Sequence, residues 1–161
     1  MVFGWYNSLP SESVYIFFGT PDEGFFMTSA ANPEGPWEPL HPIMKEAGWD
    51  DCSVLFDDNG DVCFVGTHFA DNYKTYLFRM TSDAKSIDKL SAQLVNEGSG
   101  REASKLIKVN GWYYLVFSEH KAGVGRYVIA KRSRRLFGSN IQKKSNWLYL
   151  LLKLWNPIKV V

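Results

Sequence analysis

The chain has 161 residues, of which 45% are hydrophobic and 16% aromatic, and a formal net charge of +1. A chain of this size builds one domain with a substantial core, burying about 70% of its unfolded surface, and its composition is not that of a disordered chain. So neutral a balance gives no electrostatic basis for binding nucleic acid or a membrane surface.

Aromatic and β-branched residues gather in short runs, which favours strands over helices. Val2-Phe3-Gly4-Trp5-Tyr6 is an aromatic run, and no basic segment followed by an apolar one marks a signal peptide; the sequence assigns no compartment. Val14 to Gly19 reads as a buried strand, Pro21-Asp22-Glu23-Gly24 as a turn and Phe25 to Ser29 as the return strand. After the turn Asn32-Pro33-Glu34-Gly35-Pro36, Trp37 to Met44 reads as a further strand, placed at a sheet edge by Pro39 and Pro42.

A second unit starts at Asp51, with strands Cys52 to Phe56, Val62 to Thr67, Lys74 to Met80 and Ala92 to Val95. A third starts at Glu102, with strands Ser104 to Val109, Trp112 to Ser118 and Arg126 to Lys131. Asn59-Gly60 and Asn110-Gly111 separate the first two strands of each unit, a strong hairpin signal. The central strands begin at Val14, Val62 and Trp112, spacings of 48 and 50 residues. A recurrence of short strands at about fifty residues is the mark of β-propeller blades, a plain β-meander or sandwich being the alternative. The expected fold is all-β, a partial propeller of about two and a half four-stranded blades.

From Ser139 the texture changes. The apolar run Trp147 to Trp155 is nine residues with Lys153 inside it, less than half of the roughly 20 needed to span a bilayer. The expected division is a propeller part over residues 1–138 and an atypical tail over 139–161. Cys52 and Cys63 lie on two arms of one hairpin and read as buried free thiols, with a disulfide geometrically open. No metal or other cofactor is expected: His41, His68 and His120 are far apart and no ligand spacing is present.

Asp51 stands nine residues before Gly60, and Glu102 nine before Gly111. If their strands are the innermost of adjoining blades, both carboxyl groups converge on one funnel. Converging carboxylates are what cleavage of a glycosidic bond requires. Trp49 would stack on a sugar ring, His68 would reach a sugar hydroxyl, and Arg101 would bind substrate or pair with a carboxylate. For each the bland alternative is a structural role. His120 and Arg126 read as solvated, as does the basic run Lys131-Arg132-Ser133-Arg134-Arg135.

At these positions the chain resembles glycoside hydrolase family 43, the five-bladed propeller glycosidases, and within it the β-xylosidases and α-L-arabinofuranosidases. The likeness runs from about residue 3 to Gly138 and rests on Tyr15 to Ser29, Pro33 to His41, Gly48-Trp49-Asp50-Asp51-Cys52-Ser53, Glu102-Ala103-Ser104-Lys105 and Gly111-Trp112-Tyr113-Tyr114-Leu115. It implies an inverting hydrolysis of xylan- or arabinan-type oligosaccharides with three acids. Glu102 stands where the family has its general acid, and Asp51 where it has the aspartate that tunes and orients that acid. The general base belongs to a preceding blade and has no counterpart in this chain, so the chain alone is expected to be inactive or nearly so. Cys52 replaces the proline that usually follows the tuning aspartate, and Glu102-Ala103-Ser104 replaces Glu-Gly-Pro. The other expectation is a non-catalytic carbohydrate-binding or interaction module. In either case the partner is an oligosaccharide or plant polysaccharide, with self-association open to the free blade edges.

Overall fold

A computed structural model describes residues 13–97, 100–123, 125–138 and, for the backbone, 148–152. The aromatic run Val2 to Tyr6 lies outside the described residues. Among the described residues eleven strands form three antiparallel sheets, and there is no α-helix. The first sheet holds β1 (Val14–Thr20), β2 (Gly24–Ala30) and β3 (His41–Met44). The second holds β4 (Trp49–Phe56), β5 (Val62–His68), β6 (Lys74–Met80) and β7 (Ile87–Asn96). The third holds β8 (Arg101–Val109), β9 (Trp112–Lys121), β10 (Gly125–Ser133) and β11 (Leu148–Leu152). Each sheet is a simple meander in chain order, the pattern of a propeller blade.

The strands that begin at Val14, Val62 and Trp112 are β1, β5 and β9, so the fifty-residue recurrence of the sequence is a recurrence of blades. β5 and β9 are second in their sheets, and the direction of β1 gives it the same place. Pro21, just after β1, accepts the Gly48 N–H at 2.8 Å beside the start of β4. At the other end the Tyr15 ring lies 5.4 Å from that of Phe56, the last residue of β4. β1 therefore runs against β4. β4 and β8 run together, Asp51 meeting Ala103 near their starts and Asp57 meeting Lys108 near their ends. These two are the inner strands of their blades. Among the described residues the first blade shows its second, third and fourth strands only.

Only four residues of the expected strand from Trp37 to Met44 pair, His41–Met44 against β2. Pro42 sits opposite Phe26 in this edge strand, where a missing N–H costs no ladder bond. Leu148–Leu152, within the region set apart as a tail, pairs antiparallel with β10 as the fourth strand of the third blade.

Two apolar layers join the blades. Between the first and second, Phe25 packs edge-on to Phe64 at 4.8 Å between ring centres and to Trp49 at 6.1 Å. A Cβ on Gly19 would lie 2.7 Å from the Phe25 ring, and one on Gly66 3.0 Å from it. The two glycines thus form the slot that admits the ring. Phe25 and Phe64 are wholly buried, and truncating either to Ala would cost about 3–5 kcal/mol. Between the second and third blades, Leu55, Val65 and Leu77 meet Leu106, Leu115 and Phe117. Cys52 and Cys63 are free and buried, and burial pushes both thiols up to about 12.

Candidate active site

The starts of β4 and β8 carry a matched irregularity. Asp50 pairs with Thr67, and Glu102 pairs with Ser118, so each carboxylate lies opposite a hydroxyl on the next strand. Each ladder then slips. The residue after each carboxylate takes a left-handed backbone, φ 45° at Asp51 and φ 57° at Ala103. The rung partner of Glu102 is therefore Asp50, and Asp51 corresponds to Ala103. The equal spacing to Gly60 and Gly111 does not mean an equal rung. Five residues, 57–61, join β4 to β5, and only two, 110–111, join β8 to β9.

This half-step offset gives Asp51 its reach. Its Oδ2 accepts the Ala103 N–H at 2.6 Å, across the gap between blades. Three further bonds continue the seam. The hydroxyls of Ser104 and Thr67 meet at 3.3 Å, Lys105 Nζ donates to the Cys52 carbonyl at 3.1 Å, and the Leu106 N–H donates to Ser53 Oγ at 3.1 Å. Four consecutive residues of β8 thus each hold the second blade. Burial pushes the Lys105 ammonium below its ordinary range. Where the resembling family has glycine and proline, Ala103 takes up the left-handed turn and Ser104, fully buried, anchors the bulge.

Asp51 and Glu102 line one depression of about 250 Å³ together with Asp50, Thr67, Phe69 and Tyr73. Pro21 of the first blade completes the rim. Arg126, on β10, donates from Nη1 to Glu102 Oε2 at 3.0 Å and to Ser118 Oγ at 2.8 Å. Both side chains of this ion pair are about half exposed, 53% and 43%, so it contributes under about 1 kcal/mol. Its effect is positional.

The remaining expected residues lie elsewhere. Trp49 is 5% exposed, and its indole face is covered by His68, stacked at 4.4 Å and 3°. Its Nε1 donates to Glu46 at 3.2 Å. The protein itself fills the place expected for a sugar, because Trp49, the first residue of β4, packs edge-on to Phe25 and Phe78. His68 is the partly exposed lid on that indole. Arg101 does not line the depression; its Nε donates to Glu119 Oε2 at 2.5 Å and its Nη1 to Asn96 Oδ1 at 2.7 Å. Of the two roles open to it, pairing with a carboxylate is the one seen.

Sequence reasoning passed over Asp50, Thr67, Phe69 and Tyr73, and read Arg126 as solvated although it holds Glu102. Asp50 is adjacent to an expected residue and was legible in principle. Arg126 was not, since it lies two strands from Glu102 and no local pattern links them. Among the described residues no group of His, Cys, Asp and Glu side chains is arranged to hold a metal ion.

Residues 10–150 match the sequence model of glycosyl hydrolases family 43. The chain belongs to this family. A Xylanibacter ruminicola protein bearing a beta-xylosidase name is 36% identical over 124 residues, which are 77% of this chain and 23% of that protein. The xylosidase/arabinosidase of Butyrivibrio fibrisolvens is 29% identical, over 71% of this chain and 24% of its own length. This family 43 chain therefore spans about a quarter of the length of the curated relatives it matches. Among solved structures, an endo-1,4-beta-xylanase of Bacteroides thetaiotaomicron superposes with a TM-score of 0.73 at 23% identity, over 96% of this chain and 53% of its own. An alpha-L-arabinofuranosidase of Clostridium thermocellum gives 0.68 at 18% identity, over 87% of this chain and 47% of its own. At these identities the likeness establishes the propeller fold.

Proposed function

We propose that this family 43 chain supplies the proton-donor side of a glycosidase acting on xylan- or arabinan-type oligosaccharides. Glu102 is the general acid: its carboxyl proton passes to the glycosidic oxygen as the bond to the anomeric carbon breaks. Asp51 orients that acid. The observation that carries this reading is the 2.6 Å bond from the Ala103 N–H to Asp51 Oδ2, which places one carboxylate against the backbone that bears the other, in one depression. In the inverting scheme a base on the opposite face of the sugar takes a proton from the attacking water. No described residue is assigned that role, and loss of general-base catalysis costs about 10²–10⁴-fold. The chain alone is then nearly inactive.

The test bypasses the base. Xylobiose and arabinobiose are incubated with the chain with and without azide, a small nucleophile that needs no base. Expected are negligible hydrolysis without azide and glycosyl azide formation with it, abolished in Glu102→Gln. Equal azide-dependent turnover in the wild type and Glu102→Gln removes Glu102 from the role of acid. A second reading, carbohydrate binding without turnover, is favoured by the Arg126 ion pair, which occupies the Glu102 carboxylate. Sugar binding with no azide rescue would select it.

A further inference from the structure

With Trp49 enclosed in the core, the depression takes its aromatic wall from another element. The β5–β6 connection makes one 3-10 turn, Phe69–Asp71, and then two consecutive left-handed residues, Asn72 at φ 52° and Tyr73 at φ 56°. The turn is tied down from within, because Asp71 accepts from Lys74 Nζ at 2.9 Å and from the Tyr76 hydroxyl at 3.0 Å. These two bonds hold the Asp71 carboxyl below its ordinary range, the one to Lys74 first. Its other end is pinned where the Ala70 N–H donates to the Gly48 carbonyl at 3.2 Å. A loop so fixed presents Phe69 and Tyr73, both partly exposed, to the depression. Asp50 faces them from β4. It is exposed, and its Oδ1 accepts the Asp51 N–H at 2.7 Å, leaving Oδ2 for a ligand.

We propose that Tyr73 and Asp50 form the sugar-holding wall of this site, Tyr73 as the surface on which the pentose ring packs and Asp50 as acceptor for its hydroxyls. This rests on the glycosidase reading of the same depression and names the residues that bind rather than cleave. An aromatic face set against a charged acceptor fits a ring that is apolar on its C–H face and polar at its edge. The free Oδ2 of Asp50 carries the carboxylate charge and accepts from a ring hydroxyl more strongly than a neutral amide oxygen would. As the rung partner of Glu102, Asp50 reaches the depression from the neighbouring inner strand at the same height.

The test is binding, which does not depend on a base. Backbone amide shifts of the chain are followed by NMR on titration with xylobiose and with arabinobiose. Expected are saturable shifts at Asp50, Asp51 and Thr67 to Lys74. Asp50→Asn and Tyr73→Asn should each weaken binding about tenfold or more, the first by losing a charge-assisted contact and the second by losing the packing surface. Asparagine is chosen at position 73 because it tolerates a left-handed backbone. Glu34→Gln, at an exposed turn, should bind as the wild type does. Wild-type affinity in both wall variants overturns this assignment while leaving the roles of Glu102 and Asp51 to the azide experiment. No saturable binding by the wild-type chain overturns both readings.

Discussion

Asp51 reaches across two blades to the backbone N–H of Ala103, at 2.6 Å, and both residues hold left-handed backbones, φ 45° and φ 57°. Two strained positions on separate strands thus stabilise one another. A non-glycine residue there costs about 1–3 kcal/mol, and the bond between them helps to offset it.

That pairing separates two substitutions at Asp51. Asp51→Asn keeps an acceptor and a side chain suited to a left-handed backbone; Asp51→Ala keeps neither. Expected losses are about 2 kcal/mol for Ala and under about 1 kcal/mol for Asn, measured by urea unfolding. Equal losses would mean that the cross-blade bond adds nothing.

At the far end of the same two strands, Asp57 is 8% exposed. It accepts from Lys108 and Tyr113 of the third blade and from the Asp58 N–H at 2.7 Å. Burial would raise its carboxyl, but the bonds from Lys108, Tyr113 and the Asp58 backbone outweigh burial and hold it below the ordinary value. A depressed carboxyl stabilises the fold above its unfolded value, about 3.9, and loses that contribution as pH falls through the folded value. Stability of the wild type should therefore fall below about pH 4, more steeply than that of Asp57→Asn. Asp57→Asn should itself cost about 2–3 kcal/mol at neutral pH. Parallel pH profiles for the two proteins would exclude this clamp.

Gly48 and Gly60 share a left-handed backbone, φ 90° and φ 86°, in different surroundings. A Cβ at Gly48 would lie 2.8 Å from that of Ala70 and 3.1 Å from His68 Nε2, whereas at Gly60 nothing lies within 4 Å. Gly60→Ala should cost about 1 kcal/mol, the backbone strain alone, and Gly48→Ala about 1–3 kcal/mol more for the overlap. Thermal melts should show the larger drop for Gly48→Ala. The reverse order would refute the tight apposition of β4 to the turn after β5.

The thiols of Cys52 and Cys63 are buried and raised to about 12. Because the thiolate is the reactive form, neither should react with a thiol reagent at neutral pH in the folded protein, and both should react in denaturant. Prompt labelling of either under native conditions would contradict the packing of β4 against β5.

Strand order was legible because alternation of side chains and turn residues are local: Val14, Val62 and Trp112 open β1, β5 and β9, and Lys74–Met80 is β6. That Asp51 and Glu102 lie near one another was also legible, since both stand at the start of the strand that opens a unit, and both line the depression. Other outcomes needed contacts between segments far apart in sequence. The enclosure of Trp49 depends on Phe25 of the preceding blade. The capture of Glu102 by Arg126 depends on the lateral order of β8, β9 and β10. The rung that matches Asp50, rather than Asp51, to Glu102 depends on two bulges. By itself the sequence determined which residues form strands and that the strands recur as blades, because periodicity of burial is written along the chain. Only the packing of one blade on the next decided which side chains are covered and which line the depression, because that depends on where bulges and turn lengths bring one strand level with another.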